Sequence, residues 1–275
     1  MERNKVKKLR YVVGTQPDET VSPREAAHRK LAREAAGEGI VLLENDGSLP
    51  LKPGKIALYG SGAVSTIKGG TGSGEVNERY SVNIADGLKN AGFTITSQDW
   101  LDEYQTELTA ALAEHDSSCV EAVKRSQSLH SLMDVTNMPF IFPLGRKITE
   151  EDVKRSETGT AVYVIARQAG ESGDKKLESG DFDLYPKESE SLRFLSEHYE
   201  QTILVINSGS SMDLTPLEDI RLSAIIFFCQ QGEEGGNALA DILCGKVTPS
   251  GKLTDSWART YGDIPFGNEI GRAHV

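Results

Sequence analysis

Four stretches of this chain gather residue types that can do chemistry. The first is Gly69-Gly70-Thr71-Gly72-Ser73-Gly74. A loop this rich in glycine lets backbone N–H groups come close to a ligand. A Walker A loop ends in Gly-Lys-Ser/Thr, whereas Glu75 follows here. A dinucleotide fingerprint needs its glycines directly between strand and helix, and this loop falls roughly ten residues after the apolar run 56–59. Gly60-Ser61-Gly62 is better placed, yet Ser65 stands at the third glycine position. Three readings stay open for the glycine loop: a tight loop with no ligand, a sugar-pocket wall using Gly70, Gly72 and Ser73, or a phosphate cradle.

The second stretch is Arg167-Gln168-Ala169-Gly170-Glu171-Ser172-Gly173-Asp174-Lys175-Lys176. It begins just past the end of the apolar run 161–165, and in open α/β sheets ligands bind beyond the carboxyl ends of the strands. A glutamate among small residues there can project into a cleft, with Arg167 and Asp174 as polar neighbours for a substrate. Taken alone, the stretch reads as a solvated polar loop. The third is Gln98-Asp99-Trp100, a carboxylate beside an aromatic ring. Its simpler reading is that Asp99 caps a helix and Trp100 packs. The fourth is the small-residue run Gly235–Gly245, which suits close helix packing. His28, His115, His130 and His198 show no metal-ligand spacing.

The elements that must position these residues alternate. Apolar runs at 56–59, 93–96, 161–165, 203–206 and 224–228 read as strands covered on both faces, as in a parallel sheet. Helical patterns lie at 81–91, 100–115, 187–199 and 234–244, the last ending at Gly245, a suitable glycine for the position after the cap. An earlier helix starts at Ser22-Pro23 with Glu25 three residues beyond Ser22, and its apolar pattern runs through Ile40 and Leu43 to a stop near Asn45-Asp46-Gly47. Residues 1–21 read as an extended lead-in, and 116–150 as an excursion from the sheet. The expected fold is a three-layer α/β sandwich, a mainly parallel sheet flanked by helices.

Composition removes several classes of function. Of 275 residues 38% are hydrophobic, which is ordinary for a globular chain. Thirty basic against 41 acidic residues give a net charge of −11, the wrong balance for a general binder of nucleic acid or of an anionic membrane. No apolar run approaches the roughly 18–20 residues of a membrane span, and the basic start leads into Thr15-Gln16-Pro17-Asp18-Glu19 instead of an apolar signal region. Three cysteines without CxxC spacing argue for a reducing compartment, the cytoplasm, with no disulfide framework and no zinc site. Cys229 and Cys244 read as small buried hydrophobes.

Read in order, the segments resemble the α/β-sandwich domain of the family-3 glycoside hydrolases, the β-glucosidase family. The resemblance covers residues 34–265 and rests on Ala35–Asn45, Leu49-Pro50-Leu51, the Gly69–Gly74 loop, the Glu171 loop with Gly180-Asp181-Phe182, Asn207-Ser208-Gly209, Gln231–Gly236 and Pro249–Leu253. The glycine-loop, Gly180-Asp181 and Trp257-Ala258-Arg259-Thr260-Tyr261 details resemble members in which the sandwich precedes the barrel. The resemblance implies retaining hydrolysis of β-linked glucosides or related oligosaccharides, with no cofactor and no metal. That reaction needs two carboxyl groups about 5–5.5 Å apart. In the family the nucleophile is an aspartate of the barrel, and the acid/base is a glutamate on a sandwich loop patterned Gly-Glu-Gly-x-Asp-Arg. By position Glu171 is that glutamate. Ser172 replaces the usual glycine and Lys175 the usual arginine, and lysine cannot clamp a carboxylate bidentately. Asp99-Trp100 resembles the barrel's Ser-Asp-Trp nucleophile motif, but Gln98 precedes it and it lies in the sandwich, so it is rejected.

The expected organisation is therefore a lead-in at 1–21 and a sandwich at 22–268. Glu269–Val275 reads as the in-frame translation of a common sequencing adapter. The barrel that would complete the site, and carry the nucleophile, is expected to be missing, which would leave the isolated chain inactive. Two rivals remain: a Rossmann-like nucleotide-binding domain using Gly60, Gly62 and Asp99, and a non-catalytic carbohydrate-binding module in which Glu171 supplies only a hydrogen bond.

Overall fold

The computed structural model describes residues 20–70, 78–126, 140–168 and 175–264. The expected lead-in falls almost wholly, and the 269–275 segment wholly, outside them. Six strands form one sheet: β1 (Val41–Asn45), β2 (Lys55–Tyr59), β3 (Thr94–Ile95), β4 (Thr160–Arg167), β5 (Gln201–Ser208) and β6 (Ala224–Phe227), in the order β1-β6-β5-β4-β2-β3. All neighbours run parallel except β1, which pairs antiparallel with β6, Val41 opposite Phe227. The five apolar runs are thus strands of one mainly parallel sheet. β4 and β5 are paired along their whole length, from Thr160 opposite Gln201 to Arg167 opposite Ser208, and past their first residues every position in both is buried. Burial on both faces is why these strands read as unbroken apolar runs.

The helices are α1 (Pro23–Gly39), α2 (Ile84–Asn90), α3 (Gln98–Ser126), α4 (Glu150–Ser156), α5 (Pro186–His198) and α6 (Gly235–Leu243). α6 packs on both α1 and α2, and α2 also meets β3, while α3 and α4 contact β2 and α5 contacts β4 and β5. This is the three-layer α/β sandwich. The α1 start follows the sequence reading: Ser22 Oγ accepts from the Glu25 N–H at 3.1 Å, with Pro23 in the first turn. Its end does not. The helix stops at Gly39, and Val41–Asn45 turns into the antiparallel edge strand. Two glycines weaken the helix at 37 and 39; the β-branched Ile40 and Val41 are buried, at 0% and 8% exposure, and from Val41 on the chain gains by pairing with β6.

Two further expectations change. The helix placed at 100–115 runs from Gln98 to Ser126 and so takes up the start of the excursion at 116–150, and a short helix, α4, begins where that excursion ends. Cys229 and Cys244 are only part-buried, and Cys229 holds a left-handed φ of 59°. Gly245 does follow α6 with φ of 77°, as the sequence implies.

Close contact between layers depends on glycine at one crossing. A Cβ on Gly87 of α2 would lie 2.0 Å from the Gly236 carbonyl oxygen, and one on Gly236 of α6 would lie 2.0 Å from that of Asn83. The small-residue run at the start of α6 is therefore packing, as expected. On the other face Trp100 stacks parallel on Tyr104, with centroids 5.7 Å apart, and meets Tyr59 edge-on; both Trp100 and Tyr59 are buried.

Candidate active-site rim at the carboxyl edge of the sheet

β2 and β4 are parallel neighbours, so the chain leaves both at the same edge of the sheet. After β2 come a tight turn (Ser61–Ala63) and the segment to Gly70; after β4 comes Gln168. Gln168 Nε2 donates to the Gly69 carbonyl at 3.3 Å, so the stems of the glycine loop and of the Glu171 loop touch. Gly70 is described and half-buried on this rim. Gly72, Ser73, Glu171 and Asp174 lie outside the described residues.

Arg167, expected as a substrate contact, is paired inside the protein. It is 8% exposed, and its two terminal nitrogens bond the two carboxylate oxygens of Glu188, Nη1 to Oε1 at 2.8 Å and Nη2 to Oε2. Glu188 Oε2 also accepts from the Tyr185 N–H at 3.0 Å, which fixes the start of α5. Arg167 Nη1 donates further to the Ala166 carbonyl, and the guanidinium lies 5.0 Å from the Tyr185 ring centroid. Its Nε is buried without a hydrogen-bond partner among the described residues. The side chain ties the end of β4 to α5. The reason is burial: a charge taken out of water needs a matched, hydrogen-bonded partner, and Glu188 is that partner.

From Lys175 on, the chain is anchored again. Lys175 Nζ donates to Ser210 Oγ at 2.9 Å and to the Ser211 carbonyl, and the Lys175 carbonyl accepts from the Tyr261 hydroxyl at 2.8 Å. Tyr261 packs edge-on against Phe182. Burial pushes the Lys175 ammonium down to about 8; Asp181 opposes that shift, and the Arg167 charge adds to it. A lysine does not reproduce a bidentate arginine clamp, but its point charge is satisfied here by a hydroxyl and a carbonyl of the loop after β5.

Asn207, near the end of β5 and fully buried, is a rim residue that local pattern reasoning passed over as a candidate. Its Oδ1 accepts from the Ile67 N–H at 2.6 Å, and its Nδ2 donates to the carbonyls of Ile67 at 2.8 Å and Cys229 at 2.6 Å. A buried asparagine at the end of an apolar strand was the available signal, since such a group is retained only where its amide is matched.

The features that suggested a nucleotide site have other work. A Cβ on Gly60 would lie 2.3 Å from the Val164 carbonyl oxygen, and one on Gly62 would lie 2.5 Å from Val164 Cγ1. Those glycines admit β4, which accounts for them without a ligand. Asp99 is the second residue of α3 and not its cap; its carboxylate, 66% exposed, pairs with Arg155 at 2.7 Å. Ser97, just before the helix, bonds both backbone groups of Leu58 at 2.7 Å and so pins α3 to β2. Trp100 packs as expected. Among the described residues no group of three or more His, Cys, Asp or Glu side chains could hold a metal ion, and no helix is long and apolar enough to cross a membrane.

The sequence pattern described as "Glycosyl hydrolase family 3 C-terminal domain" matches residues 40–273. The chain belongs to that family. Relatives of this family-3 domain include β-glucosidase A of Butyrivibrio fibrisolvens, 33% identical over 246 residues, and a β-glucosidase of Ruminococcus albus, 30% identical over 236 residues. These alignments cover 86% and 85% of this chain but only 29% and 23% of those proteins. The chain thus spans under a third of either relative. Among solved structures, β-glucosidase 3B from Thermotoga neapolitana in complex with glucose superposes with a TM-score of 0.70 at 30% identity, over 91% of this chain and 34% of that one. A β-glucosidase from Paenibacillus barengoltzii superposes with a TM-score of 0.72 at 28% identity, over 90% of this chain and 26% of that one.

Proposed function

We propose that this family-3 domain supplies the general acid/base of a retaining β-glucosidase, and that Glu171 is that residue. The observation that carries the reading is the contact of two loop stems on one sheet edge, Gln168 against Gly69. With Lys175 anchored beyond it, the Glu171 stretch starts and ends at the edge where open α/β sheets place their ligands. The substrate is a β-linked glucoside or related oligosaccharide, in line with the relatives' name of β-glucosidase. The nucleophile comes from a barrel domain outside this sequence, and the reaction needs no metal or cofactor. Glu171 protonates the departing glycosidic oxygen and then takes a proton from the water that attacks the glycosyl-enzyme. Burial against the barrel and the nucleophile's negative charge both raise its pKa toward that of a working acid. The cytoplasm is the compartment of this reading, in line with three free cysteines.

The test is Glu171→Ala in a complete enzyme carrying this domain. Cellobiose has a poor leaving group, and its turnover should fall by about a hundred- to ten-thousand-fold, the usual worth of general acid–base help. A dinitrophenyl glucoside barely needs the proton, so its first step should persist, a burst should appear, and azide should rescue the second step. Equal loss on every substrate with no azide rescue sinks the assignment, and Asp174 or Glu178 becomes the next candidate. A carbohydrate-binding module would show sugar affinity with no effect of Glu171→Ala on turnover.

A further inference from the structure

We infer that Asn207 is a positioning residue that makes the segment after β2 around Ile67 and Lys68 and the segment after β6 from Cys229 to Gly232 move as one unit. The coupling stands on geometry alone; its bearing on glycoside cleavage rests on the reading above, because the same rim carries the proposed site.

Asn207 sits on β5 opposite Ala166 of β4, with no exposed surface. A primary amide offers one acceptor and two N–H donors. Here the acceptor and one donor close a two-point clasp on Ile67, at 2.6 and 2.8 Å, and the other donor holds the Cys229 carbonyl at 2.6 Å. Cys229 is one of two non-glycine residues with positive φ among the described residues, a conformation that costs energy and persists only where its surroundings hold it. Phe228 is bonded into the sheet through its N–H to the Ile206 carbonyl at 2.8 Å, so the turn at Cys229 starts from a fixed point.

A second, outer tie joins the same two loops. The Gly232 N–H donates to the Lys68 carbonyl at 2.8 Å, one residue beyond Ile67 and three beyond Cys229. The β6 loop then continues to Glu233, whose carbonyl accepts from the Val82 N–H at 2.8 Å ahead of α2. Asn207 does not touch Gly232 or Lys68 in this set of bonds. If it positions both loops, its removal must nonetheless release that distant tie. No shape-matched apolar residue and no aspartate can replace it: leucine offers nothing to Ile67 or Cys229, and a carboxylate can accept from Ile67 N–H but faces two carbonyls without a proton to give.

Amide hydrogen exchange on this chain tests the coupling. Within the wild-type protein the Ile67 and Gly232 amides should share one opening, with the same rate reduction and the same denaturant dependence, separate from the β4 and β5 ladder. In Asn207→Leu both amides should exchange at least about tenfold faster, in step, with the ladder amides of Tyr163 and Val164 unchanged. In Asn207→Asp Gly232 should be released while Ile67 keeps part of its protection. Independent openings of Ile67 and Gly232 in the wild type overturn the proposal, and so does release of Ile67 alone in either variant. Uniform acceleration across the sheet overturns it too, since that marks a residue needed only for stability. Because the wild-type comparison needs no variant, failure of both variants to fold does not shield the claim. None of these readouts depends on Glu171, so the coupling and the acid/base assignment fail separately.

Discussion

Arg167 and Glu188 hold each other bidentately while only 9% and 1% of their side-chain surfaces are exposed. The pair joins the last residue of β4 to the first turn of α5, one residue from the stem that touches Gly69. Removing one partner strands the other charge out of water. Arg167→Ala or Glu188→Ala should therefore cost about 3–5 kcal/mol in urea unfolding, and the double replacement Arg167→Met with Glu188→Leu should recover most of it. A cost near zero for Arg167→Ala would return Arg167 to the list of ligand contacts.

The glycine crossing of α2 and α6 has no side chain that could swing aside, since the atoms an added Cβ would meet at 2.0 Å are backbone carbonyls. Gly87→Ala and Gly236→Ala should each destabilise by about 1–3 kcal/mol or more through overpacking. Gly54→Ala, where the nearest atom is 3.8 Å from the added Cβ, should fall within about 0.5 kcal/mol of wild type. Thermal melts of the three variants check the contrast.

Acid should loosen α4 in a defined window. Burial works to raise the Asp152 carboxyl, but Arg146 and Thr149 outweigh it and hold the group down from 3.8 to about 2. Arg146 bonds both carboxylate oxygens, at 2.7 and 2.6 Å, and Thr149 closes the helix cap on the same carboxylate. A folded pKa below the unfolded one contributes stability that is complete above pH 3.8 and is lost as the pH falls toward 2. Arg146→Met should shift that loss to higher pH and flatten the slope of unfolding free energy between about pH 4 and 2. An unchanged slope would show that the pair does not set the shift.

As an isolated chain the domain should not hydrolyse aryl β-glucosides, because retaining hydrolysis needs a second carboxyl group about 5–5.5 Å from the first. The test is direct assay of the purified chain. Turnover abolished by Asp99→Asn would reinstate Asp99 as a nucleophile, against its exposed pairing with Arg155.

Local sequence signals determined those features whose physical cause is itself local. The runs at 161–165 and 203–206 are strands because residues buried on both faces must all be apolar. The Ser22-Pro23 start of α1 and the glycine after α6 follow from capping chemistry within one helical turn. The ordered motifs from Ala35 to Leu253 were enough to point to the family.

Tertiary structure alone decided what depended on a distant partner. Val41–Asn45 continues the apolar periodicity of α1, and only the free edge of β6 makes it a strand. Asp99 has the type and spacing of a helix cap, yet the helix starts two residues earlier than that would allow, at Gln98, and Arg155, 56 positions on, takes its carboxylate. Arg167 stands where a ligand contact belongs, and Glu188, 21 positions away, buries it. Asn207 joins Ile67 across 140 positions. Periodicity and capping report on neighbours within a turn or a strand, whereas a buried polar side chain is placed by whichever partner the finished fold brings within hydrogen-bonding distance.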